Sequence, residues 1–169
     1  MKLASNLQTT LVSAILGCLA IGLSSTSAVA QTNPATTTFG VSATVLKDCI
    51  VSATALAFGN YTGAVNTNTS TVTVTCTKST TYTVGLDAGL ASGATVTTRQ
   101  MQNGTNLLNY GLYSNGTWTT NWGNTSGTNW VSGTGSGAAQ ALTVYGQIPA
   151  GQYVTPGTYA DTIAVTVTY

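Results

Sequence analysis

Apolar and polar residues alternate with a period of two along much of this chain, and the alternating runs are rich in Val, Thr and Tyr. That is the pattern of half-buried β-strands. In residues 70–77, Val72, Val74 and Cys76 fall on one face and Thr71, Thr73 and Thr75 on the other. Residues 80–86 place Tyr82, Val84 and Leu86 on one side, and residues 107–113 and 141–148 continue the pattern. From Ile163 to Tyr169 every second residue (Ile163, Val165, Val167, Tyr169) is apolar, so a last strand is expected to run to the final residue. A further alternating run, Phe39, Val41, Ala43 and Val45, lies near the other end, after a polar lead over residues 31–37. Turn signals punctuate the runs at Gly59-Asn60, Asn103-Gly104, Asn115-Gly116 and Pro156-Gly157. No stretch carries a helical apolar period with caps, and short strands at this spacing predict an all-β antiparallel sandwich.

The two end runs raise one question of pairing. A Val/Thr-rich strand with no charge after Asp161 is a sheet edge of the kind proteins cover or charge. Residues 39–45 fit two roles: the first strand of their own sandwich, which pattern alone slightly favours, or a strand added to a neighbour's edge. The second role is head to tail, so repetition gives an open filament rather than a ring.

Composition narrows the chemistry. The chain has no His, 4 Lys+Arg and 3 Asp+Glu, yet is 43% hydrophobic. General acid-base and triad chemistry need titratable groups that are missing, and zinc or calcium sites need clustered ligands. No catalytic residue, cofactor or metal ligand is expected, and the chain reads as a non-enzyme. Lys47, Lys78 and Arg99 are too sparse for a nucleic-acid patch or an anionic membrane surface, and no small-molecule substrate is implied. The apolar content argues against disorder and suits one domain of ordinary size. Near-zero net charge removes the repulsion that keeps proteins apart, which suits a subunit packed among copies of itself.

The first 30 residues have the layout of a secretory signal peptide: Lys2, an apolar run over residues 11–23, then Ala28-Val29-Ala30. Cleavage after Ala30 would leave Gln31 first and remove Cys18. Cys49 and Cys76, 27 positions apart in an exported chain, are then expected to form a disulfide. Such a loop contributes roughly 3 to 4 kcal/mol by chain entropy. The expected organisation is a leader over residues 1–30, an amino-terminal segment over 31–48 and a sandwich domain over 49–169.

Residues 116–137 are dense in Gly, Ser, Thr and Asn, and Trp118, Trp122 and Trp130 are expected to pin this stretch to the sandwich. A sugar-binding role for the three is the alternative, since aromatic faces flanked by amides suit sugar rings. The sequons at Asn60, Asn68, Asn103, Asn115 and Asn124 fit chance in a chain this rich in Asn, Ser and Thr.

An ordered set of motifs adds a resemblance. Cys49 is followed by Phe58-Gly59-Asn60-Tyr61, Val72-x-Val74-x-Cys76, Tyr82-x-Val84-x-Leu86 and Arg99-x-Met101. Then come Leu108-Asn109-Tyr110-x-Leu112-Tyr113, Trp122-Gly123 and Thr143-Val144-Tyr145-Gly146-x-Ile148-Pro149. The set closes on Pro156-Gly157-x-Tyr159-x-Asp161-x-Ile163-x-Val165-x-Val167-x-Tyr169. In this order the chain resembles the spore coat protein U family, which includes subunits of archaic chaperone-usher pili. The resemblance implies an incomplete immunoglobulin-like sandwich, completed first by a periplasmic chaperone and then by the next subunit's amino-terminal segment. It implies Phe39, Val41, Ala43 and Val45 as donor residues, with Ala43 small for that role. Ile163, Val165, Val167 and Tyr169 would form the acceptor edge. The implied partners are copies of the chain, sibling subunits, the chaperone and an outer-membrane usher, and the implied location is the periplasm and then the cell surface. Surface attachment, biofilm formation or a spore or cell coat are the roles that follow.

Overall fold

A computed structural model describes residues 33–125 and 127–169; the leader and its cleavage site lie outside the described residues. Eight strands carry the fold: β1 (Cys49–Ala53), β2 (Asn66–Cys76), β3 (Thr81–Leu86), β4 (Arg99–Asn103), β5 (Asn106–Tyr113), β6 (Val131–Thr134), β7 (Gln140–Ile148) and β8 (Val165–Thr168). They form two antiparallel sheets, one ordered β1-β2-β7-β5-β4 and the other β6-β3-β8.

Four of the alternating runs read from sequence became the four longest strands, β2, β3, β5 and β7. In β2 the burial pattern alternates strictly from Ser70 to Cys76, because Thr hydroxyls face solvent while Val72 and Val74 enter the core. Three strands escaped the sequence reading. β1 is short and pairs residue for residue with β2, from Cys49↔Cys76 to Ala53↔Val72. β4, Arg-Gln-Met-Gln-Asn, has little strand propensity and exists through its hairpin with β5 around Gly104, whose φ of 59° suits glycine. β6 sits inside the Gly/Ser-rich stretch and is held by its ladder to β3.

Between the sheets lies a core of Val72, Val74, Tyr82, Val84, Leu86, Leu108, Tyr110, Leu112, Trp122, Val144 and Ile148. Trp122 is 1% exposed, and its Nε1 donates to the Val84 carbonyl oxygen at 2.9 Å. It is a core anchor, which removes it from any sugar-binding cluster; Trp118 and Trp130 are partly exposed.

Arg99 is fully buried beside it. Its guanidinium donates to four main-chain oxygens: Asp87 at 2.7 Å, Val96 at 2.8 Å, Leu86 at 2.9 Å and Trp122 at 2.7 Å. A buried charge must be met by hydrogen bonds, and here one side chain ties the end of β3 to two loops. Burial lowers the Arg99 pKa, opposed by the nearby Tyr110, Asp87 and Asp161.

Candidate functional site: an open flank of the sandwich

The two sheets are not closed along one side. β1 is the last strand of the large sheet and β8 the last of the small one. The two lie close to each other, and β8 is paired only with β3. In β1, Val51 and Ala53 share a face with their buried partners Val74 and Val72. They point to the interior, yet Val51 is 41% exposed and Ala53 is also exposed. Inward residues left exposed mark a missing layer of cover.

Beside this gap is a cavity of about 1130 Å³. Protein interiors are close-packed, with few voids larger than a water molecule, so an opening of this size is not a packing defect. Its floor is the core itself: Val72, Leu86, Leu108, Tyr110, Leu112, Val144 and Ile148. Its walls are two main-chain rails, residues 53–63 and 152–165.

Each rail is fixed by polar side chains. Asn66 Nδ2 donates to the carbonyl oxygens of Phe58 at 2.9 Å and Asn60 at 3.1 Å, and Asn68 Nδ2 donates to that of Ala57. Phe58 turns in and meets Tyr110 edge to face, with centroids 6.3 Å apart. Leu56 and Phe58 come down over Gly146 of β7, where a Cβ would stand 2.7 and 2.8 Å from the ends of their side chains, so a larger residue would have to displace them. Tyr61 ties the rails together: its hydroxyl donates to the Pro149 carbonyl oxygen at 2.6 Å and accepts from the Gln152 N–H at 3.1 Å. The Gly151 N–H donates to the Gly63 carbonyl oxygen at 2.9 Å.

The second rail crosses between sheets. Ala160 exchanges two main-chain hydrogen bonds with Gln102 of β4, at 2.8 and 3.1 Å, and the chain then joins β3 as β8. Asp161 pins the crossing. Its Oδ2 accepts from the Tyr110 hydroxyl at 2.6 Å, and its Oδ1 from the N–H groups of Leu90 and Thr162, both at 2.8 Å. Burial raises the Tyr110 pKa well above its ordinary value, and the bond to Asp161 raises it further. These polar groups are largely spent on one another, and the cavity has an aliphatic and aromatic floor with walls of mixed polar and apolar character. The opening suits an extended apolar segment.

The residues expected to act at the ends fare differently. Ile163 and Val165 line the cavity, and Val167 packs on the core, paired with Val84. Tyr169 does not line it: pairing with β3 stops at Thr168, and Tyr169 lies beyond at 52% exposed. The regular strand is thus Val165–Thr168, shorter at both ends than the alternation suggested. Phe39, Val41 and Val45 are 86%, 85% and 84% exposed, Ala43 is exposed too, and residues 39–45 belong to no strand. The sequence reading placed an alternating strand there; in the structure these residues pair with no strand. Cys49 and Cys76, directly opposite across β1 and β2, are joined by a disulfide.

Sequence reasoning missed the rails as parts of the site. Their signal was present in Phe58-Gly59-Asn60-Tyr61 and in Tyr159-x-Asp161, which it used only as marks of resemblance.

Comparison with known proteins agrees with this geometry. Protein U of Myxococcus xanthus is 42% identical over 100 residues, covering 56% of this chain and 55% of its own. The chain therefore spans about half the length of that relative. The complex of the CsuC chaperone and the CsuE tip adhesion subunit, from archaic chaperone-usher Csu pili of Acinetobacter baumannii, contains a similar fold. That chain matches with a TM-score of 0.56 and 26% identity over 75% of this chain and 40% of its own. The fold is an incomplete immunoglobulin-like sandwich. Residues 35–166 match the Spore Coat Protein U domain, and the chain belongs to that family of structural coat and pilus proteins.

Proposed function

We propose that the chain is a structural subunit of an archaic chaperone-usher pilus and polymerises by donor-strand exchange, serving surface attachment and biofilm formation. One observation carries the reading: a cavity with an apolar floor opens beside the start of β8, an edge strand, while an alternating apolar segment of the same chain stands exposed. A strand laid beside β8 would gain main-chain hydrogen bonds on one side and seat alternate side chains on the core floor. Phe39, Val41, Ala43 and Val45 of one copy would fill the groove walled by Ile163 and Val165 of the next. Before assembly a periplasmic chaperone would supply the strand, and the usher would direct the exchange. The mature chain would begin at Gln31, with residues 31–48 as the donor segment and 49–169 as the receiving domain.

The test is to express the chain with its chaperone, with and without residues 31–45. The intact chain should give a ladder of heat-resistant polymers, and the truncated one a chaperone-bound monomer. Ladders of normal length from the truncated chain would overturn the reading. A coat layer built by the same strand exchange is the second reading, favoured by the match to a spore coat domain. Electron microscopy of producing cells separates fibres from a continuous layer.

A further inference from the structure

The outer face of the large sheet carries a feature that strand exchange does not use. None of the residues that β1, β2, β4, β5 and β7 direct outward is Asp, Glu, Lys or Arg. Near its centre Tyr113 and Tyr145 lie directly opposite each other on β5 and β7. Tyr113 is folded back along its own strand: a Cβ on Gly111 would stand 2.5 Å from its hydroxyl oxygen and 2.6 Å from Cε2. The ring therefore lies flat on the backbone of Gly111, which is buried although it has no side chain. Tyr145 is flanked by Gly116, whose Cβ would stand 3.2 Å from Cε1. Both tyrosines are partly exposed, and no hydrogen bond to either hydroxyl is formed among the described residues.

The surroundings of the rings are amides and hydroxyls. Gln147 faces Gly111 across the ladder, and Thr69 flanks Tyr145 on the other side. Asn109, next outward on β5, holds the Gln100 amide at 2.9 Å. Two flat aromatic bodies with free polar tips, set among uncharged donors and acceptors, fit a ligand with both apolar faces and hydroxyl edges. A protein interface needs a broad apolar centre, whereas here the apolar area is confined to the two phenol rings and the exposed Leu107 and Ile50 lie apart from them on β5 and β1, which suits sugar rings better than a protein core.

We propose that the Tyr113 and Tyr145 face is a binding site for a neutral polysaccharide. Sugar rings would stack on the two phenol faces, and sugar hydroxyls would bond to the phenol tips and to Gln147, Asn109 and Thr69. The absence of charge selects neutral over acidic chains and makes binding insensitive to salt. The site is independent of the groove and does not rest on the strand-exchange reading.

The test is retention of the purified protein on insoluble cellulose and chitin, and retardation in gels containing soluble neutral glucan, at low and high salt. Retention on at least one of these, unchanged by salt, is expected. Tyr145→Ala and the double variant Tyr113→Ala/Tyr145→Ala should weaken it by about tenfold or more, the scale of one lost anchor. Tyr145→Ala leaves Gly111 covered, so its melting temperature should stay at the parent value, and Tyr113→Phe should keep most of the binding. Three outcomes overturn the proposal: no retention on any of the three materials, loss with Trp118→Ala or Trp130→Ala instead, or a change confined to self-association in sedimentation.

Discussion

The two flanks of this sandwich share one core and treat it in opposite ways. On one side Trp122 and Arg99 close the gap between the sheets, and their own polar atoms are all hydrogen-bonded, although the neighbouring Asn121 Oδ1 is buried without a partner. The Trp122 N–H donates to the Leu112 carbonyl oxygen at 2.9 Å, its indole to Val84, and the guanidinium to four carbonyl oxygens. On the other side Leu86, Tyr110 and Leu112, neighbours of the same seal, form the floor of the cavity between β1 and β8. The closed flank is finished by the chain's own side chains, while the open flank has rails and a floor but no strand. The open flank thus leaves apolar floor residues uncovered, and that asymmetry is what the proposed strand exchange would use.

Substitutions can break this contrast, beginning with the closed flank. Arg99→Ala would take their side-chain donor from the carbonyl oxygens of Leu86, Asp87 and Trp122, while Val96 keeps the Asn121 amide, and a loss of about 3 to 5 kcal/mol is expected in urea unfolding of the monomer. The disulfide follows: Cys49→Ser with Cys76→Ser should cost roughly 2 to 4 kcal/mol, read in the same way. Gly146→Ala forces Leu56 and Phe58 off their seat, so about 1 to 3 kcal/mol is expected from overpacking. It should also slow uptake of a synthetic peptide spanning residues 38–46, because the first rail is displaced.

Tyr110→Phe has a smaller effect, about 1 kcal/mol for one hydrogen bond, but a distinctive pH signature. The folded-state pKa of Tyr110 lies above its unfolded value of about 10, so the fold binds this proton more tightly than the unfolded chain does. Its contribution is complete below pH 10 and is lost as pH rises further. Alkaline melting curves should therefore fall more steeply above pH 10 in the parent than in Tyr110→Phe. On the open flank, Val165→Ala should change the monomer by less than about 1 kcal/mol, since the side chain is only partly covered, yet destabilise the assembled form clearly more.

How far the sequence spoke follows the same division. The strands of the core were legible because they are half buried, and period two is the imprint of one dry face and one wet one. β4 was not, since Gln100 and Gln102 carry no such imprint and their place comes from the hairpin with β5. Arg99 was read as one of three scattered cations, and nothing local shows that the carbonyl oxygens of Leu86, Asp87 and Trp122 converge on it. At the groove, Ile163 and Val165 were visible through alternation, while Tyr169 followed the pattern past the point where pairing ends. Residues 39–45 show the limit most clearly. Their alternation is as regular as that of β2, but periodicity records a preference for a sheet without recording whose sheet it is.

That ownership is the claim to test most directly. A photo-crosslinking residue at Val41 in isotopically heavy chains, assembled together with light chains, reports what the segment touches. The account predicts heavy-to-light crosslinks from position 41 to peptides containing Phe58, Ile163 or Val165. Crosslinks confined to single chains, or reaching surfaces outside the groove, would contradict it.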